Sequence, residues 1–453
     1  MNITLDEFIV DIAYKLNNEQ VSFFTGSGVS TELGLPDWKN LFADIARKLS
    51  LDINTISDYY QLSQYYCNKY SAGDLKSIIS QKLRTAKYDS PTINKLLRLG
   101  FKSIWTTNFD TAIENCLLSN HMIYTKVHSD KDLSYITPNS VPVIYKINGD
   151  IDDLENAILT QQDWENFQYT RPTMLTFMKK ELVTNSFLFI GYSFRDNLIK
   201  SALSGIRQFV GNSGNHHYAI FEKRNEEEFN YFIDDLDKNY NVKAVLVDSY
   251  DLIPDILDKI YNKSIEKNIF ISGRLDDYSD KTELFANNLL QNIAVKLLES
   301  EYNLCTGMGR KIGYFVSGPA IQYLLSKGIS NIDKRIQIRP FDDNGTPEDF
   351  TNYRKYLISR NNILIFVFGQ KFVNGNSADS KGVLEEYELA EKMGKKIIPI
   401  GSTGFAAQRI LEKVNENITK YPYLEGYIDL LMKETDVNKI SNAVSAIVQS
   451  IAN

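Results

Sequence analysis

Cysteine, histidine and surplus positive charge are all scarce in this chain of 453 residues, which has three cysteines and four histidines. Because Cys67, Cys116 and Cys305 form no CxxC pair, the sequence excludes a cysteine zinc ribbon and argues against a disulfide framework. The formal net charge is -7, so the chain lacks the broad basic surface with which proteins bind nucleic acids. We therefore expect no nucleic-acid partner.

Long apolar runs are missing as well. No segment reaches the roughly twenty consecutive apolar residues that a membrane-spanning helix requires. The first residues, MNITLDEF, carry acidic groups where a secretory signal carries basic ones. We therefore expect a cytoplasmic protein without a membrane partner. The adjacent His216 and His217 would point to opposite faces of a strand, so they do not converge on one ion and we expect no metal.

Short apolar runs alternate with amphipathic stretches along the chain, a pattern typical of parallel sheets with crossover helices. In the first half, the predicted strands are residues 21–25, 103–107, 141–146, 186–190, 217–221 and 242–247. The pattern restarts at residues 269–272, after a polar segment. The sequence therefore predicts an α/β protein with two Rossmann-like domains, residues 1–265 and 266–453, of which the first has a parallel sheet.

Glycines and polar residues follow four of the predicted strands in the first domain. They are Gly26-Ser27-Gly28-Val29-Ser30 with Asp37 soon after, Asn108 with Asp110, Asn148-Gly149-Asp150, and Gly191 with Ser193. Open α/β sheets bind ligands at the carboxyl ends of their strands, and glycines let main-chain amides approach a pyrophosphate. The clusters therefore predict a dinucleotide site. Taken alone, a glycine turn is equally a structural connector, and Asp110 is equally a helix cap.

The order and spacing of these four elements resemble the SIR2 family. The resemblance spans roughly residues 1–260 and implies a site that binds NAD and breaks the bond between nicotinamide and ribose. It assigns NAD binding to Gly26, Ser27, Gly28, Ser30, Asp37, Asn108, Gly191 and Ser193, and catalysis to Asn108, Asn148 and Asp110. Asn108 would orient the ribose and a water, and Asp110 would steady its loop. The absent CxxC pairs separate the chain from zinc-containing deacylases, and it looks more like bacterial defence effectors that hydrolyse NAD.

Asn148 stands where the SIR2 family usually has a histidine that removes a proton from a ribose hydroxyl. An asparagine amide hydrogen-bonds to the ribose but accepts no proton near neutral pH. None of the four histidines stands in a matching position. Two interpretations remain open: the chain binds NAD with impaired turnover, or water attacks with help from Asn108 and a carboxylate such as Asp150.

Glycine-rich turns also follow the predicted strands of the second domain, and one of them, residues 306–313, carries two cations that suit a phosphate. These turns and the polar residues after them resemble the SLOG family of nucleotide-sensing domains. The resemblance implies an activator site made of Ser272, Gly273, Gly307, Gly309, Arg354, Lys371 and Glu386. Arg354 and Lys371 would neutralise phosphates, and Glu386 would accept hydrogen bonds from ribose. Without the resemblance, Arg354 fits a solvated helix face and Glu386 a helix-dipole partner.

A SIR2 domain followed by a SLOG domain is similar to the effectors of the bacterial Thoeris anti-phage system. This resemblance implies that a partner TIR-domain protein makes a cyclic ADP-ribose isomer, which binds the SLOG domain and switches on NAD hydrolysis to ADP-ribose and nicotinamide. It also implies a homotetramer or a higher assembly. Three alternatives remain: an NAD-binding sensor without turnover, favoured by Asn148, an NAD-dependent deacylase, and a nucleotide-processing enzyme at the C-terminal site.

Overall fold

The structure is a computed structural model that describes residues 3–84, 89–137, 141–194, 197–211, 214–276, 279–342 and 344–452. The chain divides into two compact units, Met1–Ser264 and Ile265–Asn453. Each unit is an α/β structure around a parallel sheet, which confirms the predicted fold class. Among the described residues, no helix is both long enough and apolar enough to cross a membrane.

The first unit is built on a parallel sheet of seven strands in the order β3-β4-β2-β1-β5-β6-β7. The strands are β1 Val21–Thr25, β2 Ser103–Thr106, β3 Thr125–Val127, β4 Val143–Lys146, β5 Ser186–Ile190, β6 His217–Glu222 and β7 Val242–Val247. The central strands β2, β1 and β5 are buried along their whole length. Strands covered on both faces are mostly apolar, which is why these segments appear as apolar runs without alternation in the sequence.

Helices cover both faces of this sheet. They are α1 Leu5–Asn17, α2 Trp38–Lys48, α3 Tyr59–Lys69, α4 Ala72–Lys82, α5 Pro91–Arg98, α6 Ala112–Ser119, α7 Gln161–Glu165, α8 Phe167–Thr170, α9 Pro172–Thr184, α10 Asn197–Val210, α11 Glu227–Tyr240 and α12 Ile253–Ser264. Phe23 of β1 packs in one core with α1, α5 and α12, and Phe24 packs in the opposite core with α9 and α11. Helices α2, α3 and α4, which we call the cap helices, share a third core with Phe109 and Ala157.

The second unit has a parallel sheet of five strands in the order β10-β9-β8-β11-β14 and a separate antiparallel hairpin, β12-β13. Its strands are β8 Asn268–Arg274, β9 Asn303–Thr306, β10 Ile336–Ile338, β11 Ile363–Phe368, β12 Gln370–Val373, β13 Asn376–Asp379 and β14 Lys396–Ile400. Its helices are α13 Asp280–Glu299, α14 Lys311–Ser326, α15 Ile332–Arg335, α16 Pro347–Ser359, α17 Lys381–Lys392, α18 Phe405–Glu416, α19 Ile428–Lys433 and α20 Val437–Ala452.

In both sheets the first strand of the unit lies in the interior. Strand β1 lies between β2 and β5, and β8 lies between β9 and β11. The strand order therefore reverses at β1 and at β8, and loops leaving neighbouring strands diverge there. Such a reversal opens a crevice at the carboxyl ends of the strands, the usual place for a ligand in an open α/β sheet.

Candidate functional site

The sheet order places the four predicted clusters of the first unit side by side. Strands β4, β2, β1 and β5 are consecutive neighbours and run parallel. Their carboxyl ends, and the segments that begin with Ile147, Thr107, Gly26 and Gly191, therefore meet at one edge of the sheet. This arrangement follows from strand pairing between segments that are far apart in sequence.

The glycines of the first loop allow one main chain to lie directly against another. The Gly26 amide donates to the carbonyl of Ile190 and the Gly28 amide to the carbonyl of Gly191, both at 3.0 Å. A Cβ atom at Gly26 would lie 2.3 Å from the Gly191 carbonyl oxygen, and one at Gly28 would lie 2.7 Å from the Gly191 Cα. Gly191 itself has a φ of 64°, a conformation that favours glycine. Main-chain packing alone therefore requires these glycines, whatever else they bind.

The loop continues in two short 3-10 turns, Ser27–Val29 and Thr31–Leu33, before any α-helix begins. Ser27 is half-buried, the Gly28 main chain is exposed, and Ser193 on the neighbouring loop is exposed. Asp37 caps α2, since its carboxylate accepts a 2.8 Å hydrogen bond from the Asn40 amide. A helix cap accounts for Asp37 without a ligand.

Asn108 is held from two sides, and one of its polar atoms lacks a partner. Its main-chain amide donates to Thr106 Oγ1 at 3.0 Å, and its Nδ2 donates to Ser30 Oγ at 3.2 Å. The residue is only 5% exposed, yet its Oδ1 makes no hydrogen bond within the described residues. A buried acceptor without a donor is costly. This oxygen is therefore available to a ligand hydroxyl or a water.

Asn148 lies on the neighbouring loop beneath a cap helix. Its Nδ2 donates a 2.9 Å hydrogen bond to the hydroxyl of Tyr60, at the start of α3, and the residue is 1% exposed. Gly149 follows with a φ of 108°, and a Cβ there would lie 2.8 Å from the Ala157 Cα. The buried Arg171 donates to the main-chain carbonyl of Ile147. Contacts with Ala157 and Arg171 therefore fix the Asn148 loop, and Tyr60 covers it.

A buried lysine joins the Asn108 loop to the Asn148 loop. Lys146, at the end of β4, is fully buried and donates to the carbonyls of Phe109 at 3.1 Å and Asp110 at 2.6 Å. It also forms ion pairs with Glu114 at 2.9 Å and Asp150 at 2.8 Å. Although burial alone would lower the pKa of Lys146, the two carboxylates raise it, so the lysine is a cation in the interior.

Asp150 is poorly suited to act as a general base. It is fully buried and pairs with Lys146 and, at 3.1 Å, with Lys126. Burial opposes ionisation, but the Lys146 ammonium lowers the pKa of Asp150 below its ordinary value. A carboxylate stabilised in this way is a weak base.

Asp110 has a local contact of its own: its carboxylate accepts a 2.9 Å hydrogen bond from the Ala112 amide at the start of α6.

Two of the histidines are placed near aspartates or in the core. His128 follows β3 at the same edge of the sheet; its Nε2 lies 3.3 Å from Asp153 and its Nδ1 lies 2.9 Å from Asp132, but that Nδ1 makes no hydrogen bond among the described residues. His217 is buried, and its Nδ1 accepts from the Phe187 amide at 3.0 Å. In the part of the chain that the structure describes, no group of three or more His, Cys, Asp or Glu side chains is arranged to hold a metal ion.

Three of the residues predicted for the second site contact one another. Ser272, near the end of β8, donates its hydroxyl hydrogen to Glu386 of α17, and Arg354 Nε of α16 lies 3.5 Å from Glu386 Oε1. Burial raises the pKa of Glu386 to about 7, although Ser272 and Arg354 act against the shift. The cluster therefore contains a carboxyl group that titrates near neutral pH.

The glycine-rich loop of this unit lies against the same strand end. A Cβ at Gly309 would be 2.0 Å from the carbonyl oxygen of Gly273, and one at Gly307 would be 2.9 Å from the Phe341 ring. Lys371 is exposed on β12. Its neighbour Phe372 donates its amide to Asp276 at 3.2 Å, which ties the hairpin to the segment that follows β8.

Four residues that shape these sites had no role predicted from the sequence: Tyr60, Lys146, Arg171 and Glu385. Two of them left a signal in the sequence. A lysine at the end of an apolar strand, four residues before Asp150 and two before Asn148, indicates a buried ion pair. Glu385 directly precedes the predicted Glu386. Tyr60 and Arg171 are distant in sequence from the loops that they contact. Hydrophobic periodicity does not predict such contacts.

Two known families match successive parts of the chain. Residues 102–245 match a SIR2-like domain family, and residues 252–451 match the Sir2- and TIR-associating SLOG family. The second match covers the strands and helices that carry the Ser272–Arg354–Glu386 cluster, and the first covers Asn108, Asn148 and Gly191.

Relatives of similar length match the chain as a whole. The NAD(+) hydrolase ThsA of Bacillus cereus (strain MSX-D12) is 28% identical over 100% of both chains. The protein of the same name from Cytobacillus dafuensis is 28% identical over 94% of this chain and 91% of its own length. The one from Enterococcus faecium is 30% identical over 95% of each chain. With this identity over nearly the full length of both chains, the protein belongs to the ThsA family.

Proposed function

We propose that this protein hydrolyses NAD⁺ to nicotinamide and ADP-ribose at the strand ends of the first unit. Water adds to C1 of the nicotinamide ribose, the carbon–nitrogen bond breaks with its electrons passing to the pyridinium nitrogen, and the water releases one proton. Nicotinamide leaves as a neutral molecule and needs no acid. The protein therefore has to hold the ribose, order the water and stabilise an oxocarbenium-like state. Relatives named NAD(+) hydrolase support the assignment.

The observation that carries this proposal is the unpaired, buried Oδ1 of Asn108. It lies on the loop after β2, next to the glycine loop after β1, where a ribose held beside a pyrophosphate is expected. This oxygen accepts a hydrogen from a ribose hydroxyl or from the attacking water. Ser30 fixes the amide so that its acceptor keeps one direction, and such preorganisation is what lowers a barrier.

Asn148 contributes a hydrogen bond and no proton transfer in this proposal. One of the two hydrogens of its Nδ2 is donated to Tyr60, which leaves the second for a ribose hydroxyl. Turnover then depends on bond breaking running ahead of water attack, since an advanced oxocarbenium ion needs less help from a base. Because both asparagines are nearly fully buried, we propose that hydrolysis also requires the cap helices to move.

Replacement of Asn108 tests the proposal directly. We expect Asn108→Ala to slow nicotinamide release by at least about a hundredfold, the usual cost of one lost polar contact to the reacting centre. Chromatography of nicotinamide after mixing protein, NAD⁺ and candidate activators measures the effect. Asn120→Ala, at the exposed end of α6, is the matched control. Unchanged release from the Asn108 variant would remove this residue from the mechanism.

We further propose that the second unit gates this activity by binding a cyclic ADP-ribose isomer from a TIR-domain partner, as part of anti-phage defence in the cytoplasm. The match to a Sir2- and TIR-associating SLOG family supports this view. Ser272, Gly273, Gly307, Gly309, Arg354, Lys371 and Glu386 form the proposed activator site. Activation shifts an equilibrium between closed and open arrangements by the activator's differential affinity for them. We also propose a homotetramer or a higher assembly.

A second candidate function is an NAD-binding sensor without turnover, and Asn148 is the observation that favours it. Changing Asn148→His restores a proton acceptor, and general-base catalysis is worth about a hundredfold or more. If the unchanged chain releases nicotinamide at only the background rate and the variant is active, the sensor function is correct. If both chains release nicotinamide at comparable rates above the background, hydrolysis without a base is supported.

A further inference from the structure

Arg354 is enclosed on several sides by the second unit. It lies on α16 and faces the first turn of α17, where a Cβ at Gly382 would lie 2.6 Å from its Nη2. The rings of Phe341 and Phe350 lie 5.2 and 5.9 Å from its guanidinium carbon. Glycine at position 382 and these two rings therefore leave the guanidinium in a defined orientation.

Glu385 occupies one hydrogen-bonding edge of this guanidinium. Its Oε2 accepts from Arg354 Nη1 at 2.9 Å, and its Oε1 accepts from the Thr351 hydroxyl. Both carboxylate oxygens are thus engaged by α16. A carboxylate and a phosphate bind the planar donors of arginine in the same way, so Glu385 holds a position that a phosphate would otherwise take.

The neighbouring Glu386 does not play this part. It is buried and bonded to Ser272, and Arg354 Nε lies 3.5 Å from it and makes no hydrogen bond within the described residues. Glu385, by contrast, keeps 33% of its side chain exposed. An anion arriving from solvent therefore meets the Arg354–Glu385 pair on its open side.

We propose that Glu385 is an internal counter-ion of Arg354 that the phosphate of an activator displaces, and that it sets the activator concentration to which the protein responds. The proposal rests on the proposed activator site and adds a residue that determines its affinity. Breaking the ion pair costs part of the free energy that the phosphate gains, and an exposed carboxylate left beside a phosphate adds repulsion. A chain without this carboxylate should bind the same phosphate ligand more tightly.

The variant Glu385→Gln tests this inference in the full chain. It keeps the shape of the side chain and removes its charge, and we expect the dissociation constant for cyclic ADP-ribose isomers to fall about threefold, as for loss of one partly exposed ion pair. Glu388→Gln is the matched control, because it removes the same charge from an exposed position on the same helix. Isothermal titration measures both. Thr351→Val, which releases one oxygen of Glu385, should shift affinity in the same direction by a smaller factor.

The outcomes separate the inference from the proposed function. Weaker or unchanged binding by Glu385→Gln, or a gain equalled by Glu388→Gln, overturns the role of Glu385. If Glu385→Gln does not fold, unchanged affinity in Thr351→Val overturns it instead. If the unchanged chain binds no cyclic ADP-ribose isomer, the proposed activator is wrong, and titration with inorganic pyrophosphate then decides the role of Glu385 on the same criteria. If the chain binds neither a cyclic ADP-ribose isomer nor pyrophosphate, both the proposed activator site and the role of Glu385 are wrong.

Discussion

The two sites differ in how they hold charge. In the first unit, Lys146 and Asp150 are fully buried and pair at 2.8 Å. In the second unit, the side chains of Arg354 and Glu385 keep 15% and 33% of their surface exposed. Breaking a buried pair leaves an uncompensated charge in the interior, whereas a partner in a partly exposed pair is replaced at lower cost. The buried pair therefore keeps two loops in one arrangement, and the exposure of the second pair is consistent with the proposed replacement of Glu385 by a phosphate.

The largest expected effect follows from breaking the buried pair. Lys146→Met leaves Glu114 and Asp150 without their shared cation, and we expect the free energy of unfolding of the first unit to fall by about 3–5 kcal/mol. Lys126→Met, which removes a partner of Asp150 that is 28% exposed, should cost less than about 1 kcal/mol. All three tryptophans, Trp38, Trp105 and Trp164, belong to the first unit, so their fluorescence in a denaturant series measures it. Equal losses from the two variants would show that burial of the pair does not matter.

Two buried groups, one in each unit, should respond to acid in opposite directions. Burial lowers the pKa of His217 to about 3, so the unfolded chain binds a proton below pH 6.5 that the folded first unit refuses, and its stability falls as the pH drops from 6.5 towards 3. Burial raises the pKa of Glu386 to about 7, so the folded second unit binds a proton that the unfolded chain lacks, and its stability rises as the pH drops from 7 towards 4.5. At pH 5 each of these groups should change the free energy of unfolding of its unit by on the order of 2 kcal/mol.

Separate probes make this test specific to each unit. Tryptophan fluorescence follows the first unit, and hydrogen exchange of peptides from residues 279–342 follows the second. His217→Gln should weaken the acid sensitivity of the first unit, and Glu386→Gln should flatten the rise in the second. A pH profile that each variant shares with the unchanged chain would contradict the assignment of these two groups.

A smaller effect is expected on ligand binding at the Arg354–Glu385 pair. Arg354→Ala removes the charged donor of the proposed activator site, and we expect the dissociation constant for a cyclic ADP-ribose isomer to rise by about tenfold. The fold should persist, because a partly exposed ion pair contributes little stability. Lys355→Ala, at the next and exposed position, is the control in the same titration. Binding that survives Arg354→Ala undiminished would place the activator elsewhere.

Strand positions were the most predictable part of the fold. β1 and β5 begin and end at the predicted residues, and both are fully buried. A strand buried on both faces of a sheet appears in the sequence as a mostly apolar run, which is easy to identify. Thr125–Val127 was missed because it is a half-buried strand of three residues. The hairpin β12-β13 was also missed, although Asn374-Gly375 between its strands, both at positive φ, is a common hairpin turn.

The candidate sites were predictable only as separate loops. The sequence places Asn108, Asn148 and Gly191 after strands, but the order of the sheet brings them together, and that order depends on pairings over tens of residues. Contacts such as Tyr60 with Asn148 depend on how the cap helices pack. The roles of the predicted site residues in binding and catalysis remain predictions that the variants above address.

The main-chain contact between Gly28 and Gly191 has a consequence for access to the first site. Where backbone touches backbone, no side chain can rotate to make room, so this wall of the crevice has one shape. At the Asn148 loop the contact is with the side chain of Tyr60 on the cap helices, and a side chain can turn aside. If a dinucleotide binds at these strand ends as proposed, we expect its entry to depend on the cap helices, and substitutions that loosen α3 should admit it faster than changes in the glycine loop.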